Sequence, residues 1–385
     1  MKSVAIFTGS RTEYGILKPI ISGVAKSRKL ELMLIVGGVH FLKKYGQTVD
    51  LIMKDGFKIA AEVQFSSTSD FHGRAGEEVG SATIKLTKVL AKLGPDIVLV
   101  NGDRSEALAC AVSTVFLPTF LAHSHGGDIT KGGTDESVRH AITKLANIHF
   151  AATEQSAQRI IQMGENPKNV FWVGAPGLDE FLETPAILAK VLEKELKIQI
   201  RKPLLIVLQH PVTTSVKTTG WEMAQTLKAI ASFGGTKIII YPNADPGSEA
   251  MIGEIEKYRK VGGFYIFPNI ERELYINLLR QAQVLVGNSS GGIIETASIP
   301  IPAVNIGPRQ TARQRNANIL DVDYDEIQIK KAIKKCLTDR QFLNRVAGIK
   351  NLWGDGTASA KIVKILETIN LDQNLLQKHF YVAKN

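Results

Sequence analysis

The sequence predicts an α/β protein of two similar halves, each built on a parallel sheet. Three observations predict it. Short apolar, β-branched runs alternate with amphipathic helical stretches along most of the chain. The runs are apolar throughout, as strands buried on both faces of a parallel sheet must be. The alternation also occurs in two series, and a chain of 385 residues suits two domains at roughly 100–200 residues each.

The first series places strands at 3–8, 32–36, 97–101, 119–122, 148–152 and 170–173. Between them lie helices such as 81–93, where Ala82, Leu86, Val89, Leu90 and Leu93 share one face and Gly94-Pro95 stops the helix. The second series places strands at 204–208, 238–241, 264–267, 284–286 and 303–306, with helices such as 325–337 between. Turn residues cluster at Gly174-Ala175-Pro176-Gly177 and set the expected boundary. The first domain is therefore expected over 1–173 and the second over 174–370, closed by a helix at 358–369. The tail 371–385 is expected to pack back on the first domain.

Composition narrows the function. Hydrophobic content of 44% and charged content of 22% are those of a globular protein. No apolar run approaches the roughly 20 residues needed to span a bilayer. The first apolar stretch, Val4 to Phe7, is too short for a signal peptide and runs straight into a Gly/Arg/Glu loop. Cys110 and Cys336 lie in helical patterns and read as buried thiols of a reducing compartment, so the expected location is the cytoplasm. The net charge is +10, from 47 basic and 37 acidic residues. Its lysines (Lys85, Lys88, Lys92; Lys330, Lys331, Lys334, Lys335) are spread over helix faces and form no basic stripe interleaved with aromatics. Neither nucleic acid nor a membrane is an expected partner. A small polyanion fits better, met by single arginines in glycine-rich loops.

In open parallel sheets, ligands bind beyond the carboxyl ends of the strands. The segments that follow the predicted strands are polar and rich in glycine. In the first half they are Gly9-Ser10-Arg11-Thr12-Glu13, Gly37-Gly38-Val39-His40, Asn101-Gly102-Asp103-Arg104 and His123-Ser124-His125-Gly126-Gly127-Asp128. In the second half they are Gln209-His210-Pro211-Val212-Thr213, Pro242-Asn243-Ala244-Asp245, Gly287-Asn288-Ser289-Ser290-Gly291-Gly292 and Gly307-Pro308-Arg309-Gln310. Any one is readable as a plain turn; the set points to a central cleft that binds a small ligand. GNSSGG joins a buried strand to a helix start near Ser290, which suits a phosphate; the bland alternative is a serine cap with glycine turns. Glu295, one turn on, is suited to ribose hydroxyls, and Arg309 to diphosphate charge. Neither GxxxxGK[ST] nor, after the first strand, GxGxxG is present, which argues against ATPase and nicotinamide readings.

The first half also carries carboxylates suited to proton transfer, Glu13, Asp103, Asp128, Asp135 and Glu136, the last two equally suited to capping a helix. His140 and His149 read as packing histidines. His123 and His125 stand at i and i+2, a spacing used by metal ligands, but His40 and His210 lie in separate loops and complete no recognisable set. No metal and no cofactor are expected.

The strings GSRTEYG, GDRSEALA, HGGDITKGGTDESVRHAITKLA, LQHPVTT, PNADPGS, GNSSGGIIE, NIGPRQTAR and WGDGTAS occur in this order from Gly9 to Ser359. Together they resemble the hydrolysing UDP-N-acetylglucosamine 2-epimerases of sialic acid biosynthesis. The resemblance implies a glycosyltransferase-B-like fold of two Rossmann-like domains. It implies a UDP-sugar substrate, UDP as product, and a homodimer or homotetramer. The implied reaction eliminates UDP to give a 2-acetamidoglucal, then adds water to give N-acetylmannosamine.

Carried over by position, Asp103 and Asp135 become acid/base groups and His210 an assistant to departure or hydration. Arg11, Arg104, Arg139, Asn243, Ser289, Ser290, Glu295 and Arg309 become substrate contacts. Some relatives have a catalytic glutamate where this chain has His125, so either His125 or the nearby Asp128 takes that role. The loop at Lys131-Gly132-Gly133 is one residue longer than in some relatives. The first loop departs from the GTRPE form of non-hydrolysing enzymes, with Ser10 and Thr12 in place of Thr and Pro, which favours the hydrolysing branch.

Overall fold

The protein is described by a computed structural model covering residues 1–42, 47–65, 74–130, 134–212, 216–242 and 246–382. It divides into two compact units. One comprises 1–128, 134–180 and 353–385; the other comprises 129–133 and 181–352.

The first unit carries a sheet of seven parallel strands: β1 (Lys2–Thr8), β2 (Leu30–Gly37), β3 (Ile59–Val63), β4 (Ile97–Asn101), β5 (Phe120–Ser124), β6 (Ile148–Ala151) and β7 (Val170–Trp172). Their order is β3-β2-β1-β4-β5-β6-β7. The second unit carries six more: β8 (Leu204–Leu208), β9 (Thr236–Ile240), β10 (Phe264–Phe267), β11 (Val284–Gly287), β12 (Ala303–Ile306) and β13 (Ile319–Val322). Their order, β10-β9-β8-β11-β12-β13, repeats that of the first sheet. In both, the chain starts mid-sheet, runs outward, crosses back and runs outward on the other side. The reversal leaves a crevice at the strand ends, between β1 and β4 and again between β8 and β11.

Successive side chains along a strand point to opposite faces, so each strand must feed two cores. On one face Val4, Ile6, Leu34 and Leu99 pack against Leu17, Ile20 and Ile21 of helix Arg11–Lys26. On the other, Ala5, Phe7, Val98 and Val100 pack against Ala82, Leu86 and Leu90 of helix Arg74–Leu93 and Ala107 and Ala111 of helix Ser105–Val115. In the second unit Leu205, Val207, Val284 and Val286 meet Met223, Leu227 and Ile230 of helix Thr219–Ala231 and Ile333 of helix Glu326–Thr338. Cys110 and Cys336 sit on two of these helices, free and buried. Among the described residues no helix is long and apolar enough to cross a membrane.

The division differs from the one expected at 173/174. Helix Ala358–Thr368 belongs to the first unit, not the second. Ile362 and Leu366 join the core under helix Arg11–Lys26, and the carboxylate of Asp179 accepts the N–H groups of Ala358 at 3.1 Å and Ser359 at 2.5 Å. The tail continues on the same unit, with Leu375 buried in that core.

Candidate active site

The first unit's reversal is built from three strand exits. After β1, Ser10 opens helix Arg11–Lys26 and accepts from Glu13 N–H at 3.4 Å. Glu13 turns back to accept from Gly9 N–H at 2.7 Å. Burial pushes its carboxyl up to about 8, and the charge of Glu106 adds to the rise. Arg11 is half-buried at the first helical position.

After β4, Gly102 makes the turn at φ +73°, a conformation that favours glycine. Its N–H donates to Ser124 O at 2.9 Å. Asp103 and Arg104 follow; Arg104 is exposed and pairs with Glu106 at 3.0 Å.

After β5, His125 adopts a left-handed backbone at φ +62°, uncommon for a residue other than glycine. Its N–H donates to Phe150 O at 3.1 Å, and its Nδ1 lies 3.1 Å from Asp128 Oδ2. The other oxygen of Asp128 accepts from the Ser156 hydroxyl at 2.7 Å. Helix Asp135–Leu145 then begins at Asp135, where acidic residues suit a helix start.

One side chain ties these segments together. The Arg139 guanidinium is 1% exposed, pairs with Asp103, and donates to Glu136 Oε2 and to Asp128 O, each at 3.0 Å. A buried charge needs partners of this quality, because unpaired it costs several kcal/mol. Arg139 and Asp128, both expected to bind substrate, also hold their neighbours, Arg139 pairing with Asp103 and Asp128 facing the His125 ring. Glu136 also reaches His140 Nε2 at 3.2 Å.

The paired histidine spacing has a local use. His123 is fully buried; its Nε2 lies 2.7 Å from Gly102 O and its Nδ1 lies 3.2 Å from Thr143 Oγ1. Burial lowers its pKa to about 3. Among the described residues no group of three or more His, Cys, Asp or Glu side chains is arranged to hold a metal.

The second unit's reversal centres on Asn288, which follows β11. Its Oδ1 accepts from His210 N–H at 2.7 Å and its Nδ2 donates to His210 O at 2.9 Å. Asn288 O in turn accepts from Arg309 Nη1 at 3.1 Å and from Gln310 Nε2 at 2.9 Å. The exits of β8, β11 and β12 are thereby joined. Burial, with Arg309 nearby, lowers the His210 pKa to about 3. Gly287 at φ +134° has no room for a Cβ against Leu208 O. Ser289 accepts from Gly291 N–H at 3.3 Å, and Ser290 begins the short helix Ser290–Ile294. Glu295 pairs with Arg272 Nη2 at 2.6 Å.

Asn243, Thr213 and Lys131-Gly132-Gly133 lie outside the described residues. Sequence reasoning did not single out Asn288, Gln310, Ser156 or Arg272. Asn288 and Gln310 stand inside the GNSSGG and GPRQ loops; for Ser156 and Arg272 there is no local signal.

Comparison with known proteins identifies the family. The profile of UDP-N-acetylglucosamine 2-epimerase matches residues 23–367. The UDP-N,N'-diacetylbacillosamine 2-epimerase (hydrolyzing) of Legionella pneumophila is 32% identical over 98% of this chain and 99% of its own length. A UDP-N-acetylglucosamine 2-epimerase of Neisseria meningitidis is 33% identical over 89% of each chain. The fold matches the crystal structure of a UDP-GlcNAc 2-epimerase from Neisseria meningitidis bound to UDP-GlcNAc, with a TM-score of 0.81, 18% identity, and coverage of 95% of this chain and 99% of that one. This chain belongs to the UDP-N-acetylglucosamine 2-epimerase family.

Proposed function

We propose that this chain is a hydrolysing 2-epimerase, converting UDP-N-acetylglucosamine and water to N-acetylmannosamine and UDP, a step that feeds sialic acid synthesis. The carrying observation is the Arg139 junction, which holds Asp103, Glu136 and the Asp128 backbone at one strand-exit edge. Elimination requires a base for the C2 proton and stabilisation of departing UDP. His125 is the base in this reading, with Asp128 fixing its ring through Nδ1. Asp103 and Asp135 serve as the acid/base groups for departure and hydration. The C2 proton and UDP leave to form a C1–C2 double bond. Water then supplies hydroxyl at C1, and a proton returns to C2 on the opposite face.

In the second unit, Ser289, Ser290 and Arg309 offer donors suited to a diphosphate, Glu295 suits ribose hydroxyls, and His210 is kept neutral by burial. Arg11, Arg104 and Asn243 complete the proposed substrate contacts. The departures of the first loop at Ser10 and Thr12 favour the hydrolysing branch.

A second reading has an observation of its own. The Legionella relative, matched over nearly its whole length, acts on a diacetamido sugar nucleotide. Assaying UDP release and free sugar from UDP-N-acetylglucosamine and UDP-N,N'-diacetylbacillosamine side by side separates the two. Turnover confined to the diacetamido substrate contradicts the first.

A further inference from the structure

We propose that Lys378, in the C-terminal tail, is a positioning residue for the acid/base group at the far end of helix Asp135–Leu145; the assignment rests on the 2-epimerase reading of Asp103 and Asp135.

The last carbonyls of a helix have no partner within it and carry the negative end of its dipole. Here a lysine from more than 230 positions later in the chain meets them. Lys378 Nζ donates to Lys144 O at 2.5 Å and Ala146 O at 2.7 Å, with Thr143 O at 3.4 Å. The same ammonium pairs with Glu165 Oε2 at 2.7 Å. Glu165 also takes Lys144 on its other oxygen at 2.5 Å and lies 3.2 Å from His149 Nε2, a residue of β6. Burial alone would raise the Glu165 carboxyl, but these three partners outweigh it and hold it at about 2. The carboxylate is therefore an anion at neutral pH, and it opposes the burial that lowers the Lys378 pKa.

The neighbouring tail residues keep Lys378 in place. Leu375 is buried in the core, and its carbonyl accepts from Asn147 Nδ2 at 2.9 Å. Asn147 Oδ1 in turn accepts from Leu121 N–H of β5 at 3.0 Å. Tyr381 N–H donates to Gly164 O at 2.8 Å, and the Phe380 ring lies 5.1 Å beneath Lys144 Nζ. Gly164 has room for that ring only because it lacks a Cβ.

The other end of the helix carries Asp135, Glu136 and Arg139, and Arg139 reaches across to Asp103 on the β4 exit. Eleven residues of helix span about 16 Å. A helix moves as a rigid element, so releasing its anchored end shifts its head against Asp103, which another element holds.

The test compares Lys378→Met, which keeps the stem and removes the ammonium, with Lys378→Arg, which keeps the charge. In Lys378→Met, kcat for UDP release falls roughly ten- to a hundredfold, the scale of a misplacement of about 1 Å, while KM and UDP affinity stay at wild-type values. Lys378→Arg recovers most of kcat, and amide hydrogen exchange in 135–145 speeds up only in Lys378→Met. A folded Lys378→Met with wild-type kcat and unchanged exchange overturns the proposal, as does a loss explained entirely by its unfolded fraction. If the wild type releases UDP from neither nucleotide sugar, the 2-epimerase reading fails instead. Exchange in 135–145 then still decides whether Lys378 holds the helix.

Discussion

At the scale of single residues, Asp103 is the sharpest point. Its carboxylate is paired with a buried guanidinium, a geometry that orients it without removing it from solvent. Asp103→Asn keeps the side chain's shape and removes its basicity. Turnover should fall by at least about 10²-fold with UDP affinity retained, as calorimetric titration and steady-state assays would show. Near-normal turnover removes Asp103 from the chemistry.

Glu13 makes a different prediction, about pH. Its folded-state carboxyl stands at about 8 against an ordinary 4.5, so the folded chain holds a proton there that the unfolded chain releases. The stability carried by the neutral form is complete below about 4.5 and is lost as pH rises through about 8. Glu13→Gln is neutral at every pH and removes this loss. In urea titrations its stability relative to wild type should be greater at pH 8 than at pH 5. An identical difference at both values would falsify the assignment.

At this scale the sequence shows residue types but not their partners. Asp103 and His125 are legible because they stand at strand exits, and Asp135 because acidic residues suit a helix start. That Arg139 joins Asp103 to Glu136 and to the Asp128 backbone is not, since Asp103 lies 36 positions away. The same holds for Asn288, whose amide joins two strand exits 78 positions apart.

At the scale of elements, period and stop signals carry most strands and helices. Both omissions, β3 and β13, are edge strands whose half-exposed faces break the continuous apolar run of a buried strand. Helix Arg74–Leu93 starts earlier than 81 because its first turns carry Gly76 and Gly80 and little apolar pattern. The assignment of helix Ala358–Thr368 depends on a contact no periodicity reveals, the Asp179 carboxylate at its N-terminus. Asp179→Ala removes acceptors for two helix N–H groups and should cost about 1–2 kcal/mol, the upper part of the range for a lost cap. Urea unfolding measures it, and a change near zero means that packing of Ile362 and Leu366 alone holds the helix.

At the scale of the molecule, two sheets of the same strand order place polar loops at equivalent reversals. The repeated alternation of strand and helix makes the likeness of the halves legible in the sequence. The strand order is not, because it depends on the crossovers that set β1 beside β4 and β8 beside β11. Each unit has one residue that ties its strand exits together. The first joins Asp103, Glu136 and the Asp128 backbone through Arg139, and the second joins His210, Arg309 and Gln310 through Asn288. The resemblance to hydrolysing 2-epimerases and the family match agree on reaction class, and the product identifies the branch.

The most direct test of hydrolysing 2-epimerisation is proton and carbon NMR of the products formed from UDP-N-acetylglucosamine in deuterated water. The account predicts free N-acetylmannosamine carrying deuterium at C2, together with UDP. Intact epimerised UDP-sugar, or free sugar that keeps its original hydrogen and configuration at C2, would contradict it.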